Sequence, residues 1–224
     1  MSMQLITQMD VLPKEAQANQ KEAILKYAKE KKIEFILEDI PEIMSETQEG
    51  VQRIERIVKS LLGFSRTSQS QEWMEYDLNK GVQDTLTIAN NEIKYYAKAV
   101  TRLGKVDLIR ANAGEINQVI LNLLVNASYA IKSKNEPLDQ NCIKISTTSD
   151  TKYAYLEIED TGSGIPDSIK ERIFEPFFTT KPVGTGTGLG LSIAHDIIVN
   201  KHKGQLQVES KRGIGTKFII MLPY

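Results

Sequence analysis

The sequence predicts an α+β fold, a two-layer sandwich in which helices cover one face of a mixed, mainly antiparallel sheet, preceded by a long helical bundle segment. Beyond about residue 72 the order reads strand, helix, strands, long helix, hairpin, glycine-rich stretch, helix, hairpin. The two hairpins are alternating apolar runs separated by short turns, which makes their strands antiparallel. Before them, Pro13 to Arg66 is polar, nearly free of glycine and rich in helix formers.

Composition narrows the class. The chain has 224 residues, 41% apolar and 25% charged, which is ordinary for a globular protein of one or two domains. A net charge of -1 gives no electrostatic reason to expect nucleic acid or an anionic membrane as partner. The single cysteine, Cys142, excludes an internal disulfide and a cysteine zinc site. No apolar run approaches the ~18 residues of a membrane span, and the N-terminus lacks the pattern of a signal peptide. A cytoplasmic location is expected, any membrane anchor belonging to a longer parent.

In the helical segment, Ile33, Leu37, Ile40, Met44, Thr47, Val51, Ile54, Val58 and Leu61 follow a strict four-three alternation. Such spacing lines one helix face, as in a coiled coil or four-helix bundle. Ile57 and Leu62 widen the stripe and favour a bundle. The stripe suits self-association; the alternative is packing on the chain's own globular part. At Pro41 either a helix restarts with Asp39 as its cap or a longer helix kinks. The polar run Ser65–Ser70 reads as the linker, which divides the chain into residues 1–68 and 69–224.

After the linker, Trp73 to Tyr76 reads as a short strand, and Asp77 caps a helix through Leu78, Val82, Leu86 and Ala89. Ala99–Leu103 and Val106–Arg110 read as strands around a turn at Gly104. A long helix from about Ala113 to Ser133 carries Asn117, Asn122 and Asn126 among its apolar residues. Asn122 and Asn126 share a face. Their side chains are exposed, cap neighbouring loops, or turn into a ligand site, where oxygen ligands suit Mg²⁺. Cys142–Ser149 and Lys152–Glu159 form the first hairpin, with Asp160 just past it. A helix from Leu189 to about Lys201 follows, and Leu206–Glu209 and Lys217–Leu222 close the sheet.

The stretch Ile158–Ala194 holds the chemistry. It opens on Asp160-Thr161-Gly162-Ser163-Gly164, continues through Phe174, Phe177 and Phe178 to Thr179-Thr180-Lys181, and ends on Gly184, Gly186, Gly188 and Gly190. Glycines allow close approach of a ligand to backbone, and N–H groups of such a loop cradle anions. A helix starting near Gly188 would add its N-terminal attraction for phosphate. The Asp160 carboxylate only accepts hydrogen bonds, which suits the exocyclic amine of adenine. Neither the P-loop pattern nor G-x-G-x-x-G fits, because Leu189 and Leu191 stand where the latter needs its last glycine. The plainer reading is a glycine-rich surface loop beside a buried aromatic cluster.

These residues resemble the ATP-binding catalytic domain of two-component sensor histidine kinases, in the superfamily shared with DNA gyrase, Hsp90 and the mismatch-repair ATPases. Asn122-Leu123-Leu124-Val125-Asn126-Ala127 is similar to its N box, Asp160-Thr161-Gly162-Ser163-Gly164 to the G1 box, and Phe174-Glu175-Pro176-Phe177-Phe178 to the F box. Gly186-Thr187-Gly188-Leu189-Gly190-Leu191 is similar to the G2 box, and the likeness extends over Asp77 to Pro223. It implies a Bergerat-type ATP-binding fold with Asn126 holding Mg²⁺ and Asn122 one turn earlier. It further implies Asp160 on adenine with Thr216 near it, Gly162 and Gly164 approaching closely, and a mobile ATP lid from about Glu171 to Thr187. The residues Gly186, Thr187, Gly188, Leu189 and Gly190 would bind the phosphates. In the lid, Thr180 and Lys181 are candidate ATP contacts, Lys181 being either a γ-phosphate partner or a solvated lysine.

Hydrolytic members of that superfamily carry a glutamate general base four residues before the Mg²⁺-binding asparagine. That position here is Asn122, which takes no proton at neutral pH, and general-base help is worth roughly 10²–10⁴-fold. The resemblance therefore implies a kinase, passing the γ-phosphoryl to a histidine and onward to a response-regulator aspartate in a homodimer. The alternatives are a hydrolytic ATPase and a non-catalytic ATP-sensing module. The family's acceptor lies in a His-Glu motif on the first helix of the dimerisation hairpin, whereas this sequence has only His195 and His202. Residues Glu42 to Arg66 resemble the second helix of that hairpin. The acceptor helix is therefore expected to lie outside this sequence, and the fragment alone is not expected to autophosphorylate.

Overall fold

The computed structural model describes residues 72–134, 136–182 and 186–224, together with 23, 26, 27, 29, 35, 39–48, 50 and 51. The chain divides into two compact units, Met1–Ile54 and Glu55–Tyr224. In the first, residues 39–48 are helical. Asp39 is itself helical and so does not cap a helix beginning at Pro41. The stripe residues Ile40, Met44 and Val51 are exposed. The other apolar stripe positions, Ile33, Leu37, Ile54, Val58 and Leu61, and the expected linker lie outside the described residues.

The second unit carries the fold. It runs β1 (Met74–Tyr76), α1 (Leu78–Ile93), β2 (Lys98–Leu103), β3 (Ile109–Ala111), α2 (Ala113–Lys134), β4 (Cys142–Ser149) and β5 (Tyr153–Asp160). The helix α3 (Gly190–His195), β6 (Gln205–Lys211) and β7 (Gly215–Pro223) follow. Five strands form one sheet in the order β2-β4-β5-β7-β6, parallel between β2 and β4 and antiparallel elsewhere. This is the mixed, mainly antiparallel α+β sheet expected from the pattern. Strand period two puts Ile143 and Ile145 of β4, Ala154, Leu156 and Ile158 of β5, and Phe218, Ile220 and Leu222 of β7 on the buried face. Against them pack Ile116, Val119, Ile120, Leu123, Leu124, Ala127 and Ile131 of α2.

The local signals behave as their chemistry requires. Asp77 caps α1 by accepting from the Lys80 N–H at 3.0 Å. Asp150 closes the β4–β5 turn by accepting from the Lys152 and Tyr153 N–H groups. Two expectations fail. The strands around Gly104 are not a hairpin: β2 joins the main sheet beside β4, and β3 pairs with β1 in a separate two-stranded ribbon. Gly104 is not a turn between partners but a close approach, its N–H donating to the Thr147 carbonyl, 2.6 Å from where a Cβ would stand. The second failure is Asp160, which is the last residue of β5 and not a loop residue beyond it.

The last helix also differs from its expectation. It starts at Gly190 and changes after His195 to a wider, π-wound turn over Asp196–Lys201. There the His202 N–H bonds the Ile197 carbonyl five residues back, at 3.0 Å.

Leu124 has no exposed surface and lies on the core stripe of α2. Truncating it removes contacts on a packed helix and leaves a void. Leu124→Ala should lower the unfolding free energy by about 2–5 kcal/mol in urea titration, with an unchanged slope; a loss within error of zero would contradict this packing.

Candidate functional site

Helix α2 presents Asn122, Asn126 and Ala130 at four-residue intervals, one face over two turns. Each meets a different segment of the glycine-rich stretch. The Asn122 Nδ2 donates to the Gly190 carbonyl at 3.2 Å. Asn126 Oδ1 accepts from Lys181 Nζ at 3.0 Å. The Ala130 carbonyl accepts from the Ser163 N–H at 3.2 Å. The third asparagine, Asn117, is elsewhere: its Oδ1 accepts from the buried Tyr76 hydroxyl at 2.6 Å, a structural bond.

Asp160 sits where the alternation of β5 puts it, on the same face as Leu156 and Ile158, with 6% of its surface exposed. In register it stands beside Thr216 of β7, itself buried. The Thr216 hydroxyl lies 2.9 Å from Ser210 Oγ, and Ser210 accepts from the Ile165 N–H at 2.8 Å. Burial pushes the Asp160 carboxyl up to about 6, against the Gly162 and Thr216 N–H groups, which pull it down. Gly162 donates its N–H to Asp160 Oδ1 at 2.8 Å.

The glycines sit where a side chain would not fit. At Gly162 a Cβ would lie 2.7 Å from Ala130, so this loop docks directly on α2. Gly164 has φ +67°, and a Cβ there would lie 2.1 Å from the Lys211 carbonyl. At Gly188, φ is +69° and a Cβ would strike the backbone of Phe177. Thr187 Oγ1 accepts from the Leu189 N–H at 3.4 Å. Residues 183–185 of the expected lid, with Gly184, lie outside the described residues.

The three phenylalanines do not form one buried cluster. Phe174 stacks on His195 with ring centroids 5.3 Å apart, and Phe178 lies under the Arg172 guanidinium. Phe177 is exposed and has φ +66°. Thr180 is exposed. Lys181 is different: burial pushes its ammonium below the usual lysine value, and Nζ lies 4.2 Å from the centroid of Tyr129. Tyr129 was missed by the sequence reading, although its spacing of three from Asn126 puts both on one face.

Of the two histidines, His202 is the one held on both ring nitrogens. His202 is buried; its Nε2 accepts from the Asn112 N–H at 3.1 Å and its Nδ1 donates to the Ile197 carbonyl at 2.8 Å. Burial pushes its pKa down, which keeps that neutral tautomer. Asn112 in turn caps α2, accepting from the Glu115 N–H at 3.2 Å. His202 is thus a structural support for the start of the helix that carries Asn122 and Asn126.

The donor set fits a magnesium nucleotide: an amide oxygen on α2, a buried carboxylate for an amine, and a glycine cradle beside them. Residues 111–224 match the family model of histidine kinase-, DNA gyrase B- and HSP90-like ATPases. The chain belongs to that family, and within it the sequence and structural relatives are sensor histidine kinases. It is 36% identical over 186 residues to the signal transduction histidine-protein kinase AtoS of Escherichia coli (strain K12), covering 81% of this chain and 29% of that protein. It is 31% identical over 173 residues to sporulation kinase A of Bacillus subtilis (strain 168), covering 76% and 27%.

The catalytic domain of histidine kinase ThkA superposes with a TM-score of 0.58 at 31% identity, over 68% of this chain and 98% of that one. ThkA in complex with response regulator protein TrrA gives 0.59 at 28% identity, over 77% and 48%. The chain spans less than a third of the length of AtoS and of sporulation kinase A. Among the described residues, no helix is long and apolar enough to cross a membrane.

Because burial pushes the Asp160 carboxyl up to about 6, it holds its proton more tightly in the folded than in the unfolded chain. Folding stability therefore falls as pH rises across that window. Asp160→Asn keeps an acceptor for Gly162 and removes the charge. It should raise the unfolding free energy at pH 7.5 by on the order of 2–3 kcal/mol and change it far less at pH 4, by urea titration at both. Equal effects at the two pH values would show that the buried charge costs nothing.

Proposed function

We propose that residues 69–224 bind Mg–ATP and transfer its γ-phosphoryl group to a histidine on a dimerisation helix, for relay to a response-regulator aspartate. In this reading Asp160 accepts from the adenine amine, with Thr216 beside it, and Gly162 and Gly164 let the loop that follows pack close around that carboxylate. Gly186, Thr187, Gly188, Leu189 and Gly190 offer N–H groups to the phosphates, and Thr180 and Lys181 complete the lid side. Asn126 is the residue that would hold Mg²⁺, which when bound supplies positive charge against the phosphate oxygens.

The observation that carries transfer over hydrolysis is Asn122. Its amide is turned to the Gly190 carbonyl as a donor, so no side chain at that position takes a proton from water. In the transfer, the bond from the β–γ bridging oxygen to the γ-phosphorus breaks, a phosphorus–nitrogen bond to imidazole forms, and ADP leaves. The protein's contribution is position and charge neutralisation.

The acceptor is read as lying outside this sequence: His202 has both ring nitrogens engaged, and neither His195 nor His202 stands in a His-Glu motif before the catalytic domain. Residues 1–68, with their apolar stripe, are read as an incomplete dimerisation segment and self-association surface, in which Glu42 to Arg66 is the second helix of the hairpin. The regulator relay is supported by the neighbour ThkA, whose structure was solved with a response regulator protein.

Incubation of the chain with γ-labelled Mg–ATP tests the reading. Label should stay in ATP for the chain alone and move to an acid-labile bond when a peptide carrying the acceptor histidine is added. Asn126→Ala should reduce the transfer at least ~100-fold, the scale of a lost charge-stabilising contact in a transition state. Steady release of inorganic phosphate by the chain alone would make it a hydrolase instead.

A further inference from the structure

We propose that Lys181 is a built-in counter-cation for the amide oxygen of Asn126, competing with the divalent metal for that oxygen and moving to the nucleotide phosphates when metal binds. The proposal rests on the nucleotide-site reading above.

Two groups of one rigid helix hold the ammonium. Nζ donates to Asn126 Oδ1 at 3.0 Å and lies 4.2 Å from the centroid of the Tyr129 ring, one turn further along α2. Both partners are neutral, and among the described residues no carboxylate pairs with Lys181. A half-buried cation with only an amide and a ring face for company lacks a counter-anion. A phosphate oxygen is the partner its chemistry asks for, a charge-assisted bond in place of a neutral one.

The oxygen it holds is the one the metal would need. Two cations on one amide oxygen repel strongly away from bulk water, so Lys181 leaves that oxygen whenever the metal takes it. Its backbone gives it somewhere to move from. The Lys181 N–H turns back onto Thr179 Oγ1 at 3.1 Å, and Gly186 lies against its stem, with a Cβ there falling 3.0 Å from the lysine Cδ. Lys181 thus ties its own segment of the glycine-rich stretch to α2, with the replaceable bond to Asn126 as its one hydrogen bond there. Exchange of that bond couples metal loading to the position of the phosphate loop.

The test is binding of a fluorescent ATP analogue to the whole chain, titrated with Mg²⁺ and repeated in EDTA, for wild type, Lys181→Met and Asn126→Ala. Methionine keeps the apolar stem and removes the charge. Lys181→Met should reach half-maximal metal-dependent binding at about fivefold lower Mg²⁺ or less, the lower end of ordinary site coupling. At saturating Mg²⁺ the same variant should bind the analogue more weakly than wild type, because Lys181 no longer reaches the phosphates; in EDTA, where Lys181 stays on Asn126, the two should differ far less. A midpoint equal to or above wild type in Lys181→Met, with Asn126→Ala still shifting it upward, would overturn the competition and leave the nucleotide site standing. If wild type fails to bind the analogue, or Asn126→Ala keeps the wild-type midpoint, the site reading itself falls and the proposal with it.

Discussion

One face of α2 organises the molecule. The helix turns Leu123, Leu124 and Ala127 into the core, which fixes its rotation about its own axis. That rotation leaves Asn122, Asn126 and Ala130 on the flank that the acidic-glycine loop, the Lys181 segment and the last glycines all reach. Three segments between residues 160 and 190 thus meet on successive turns of one rigid element. Core packing and site geometry are the same constraint seen from two sides of a helix. The buried trio of Asn112, Glu115 and His202 secures the helix start from the far end of the chain.

The second constraint is the period of β5. Because its core face runs Ala154, Leu156, Ile158, the next position on that face is Asp160, and the strand delivers a carboxylate where an apolar side chain would be expected. The Gly162 and Thr216 N–H groups only partly offset the cost of burial, which is why the carboxyl is pushed up. Such a residue lowers stability, and buried groups of this kind cluster at functional sites. Its neighbours are accordingly small or backbone-only: Gly162 docks on Ala130, and Gly215 lets the β7 strand start hard against the Asp160 carbonyl.

Much of this was legible in the residues, and the misses share a cause. Periodicity identified the long helix, both hairpins and the Asp77 cap, because each depends on contacts within a few residues. The pairing of β2 with β4 was not legible, since it joins segments separated by the whole of α2 and nothing near Gly104 distinguishes a turn from a close approach. Asp160 was read one position too far out because an acidic residue looks like the end of an apolar run. The asparagines were legible as unusual on an apolar helix, but Asn117 carries the same signal and is only Tyr76's partner. The engagement of Lys181 by Asn126 and Tyr129 needed the fold, which brings residues 55 positions apart within 3.0 Å.

The central claim is that a buried carboxylate on β5, set against α2, selects an adenine nucleotide. The most direct measurement is calorimetric titration of the chain with ATP and with GTP in saturating Mg²⁺. The account predicts that ATP binds and that GTP, which offers a carbonyl where adenine has an amine, binds at least ~10-fold more weakly. The discrimination should disappear in Asp160→Ala. Equal affinity for the two nucleotides in the unmodified chain would contradict it.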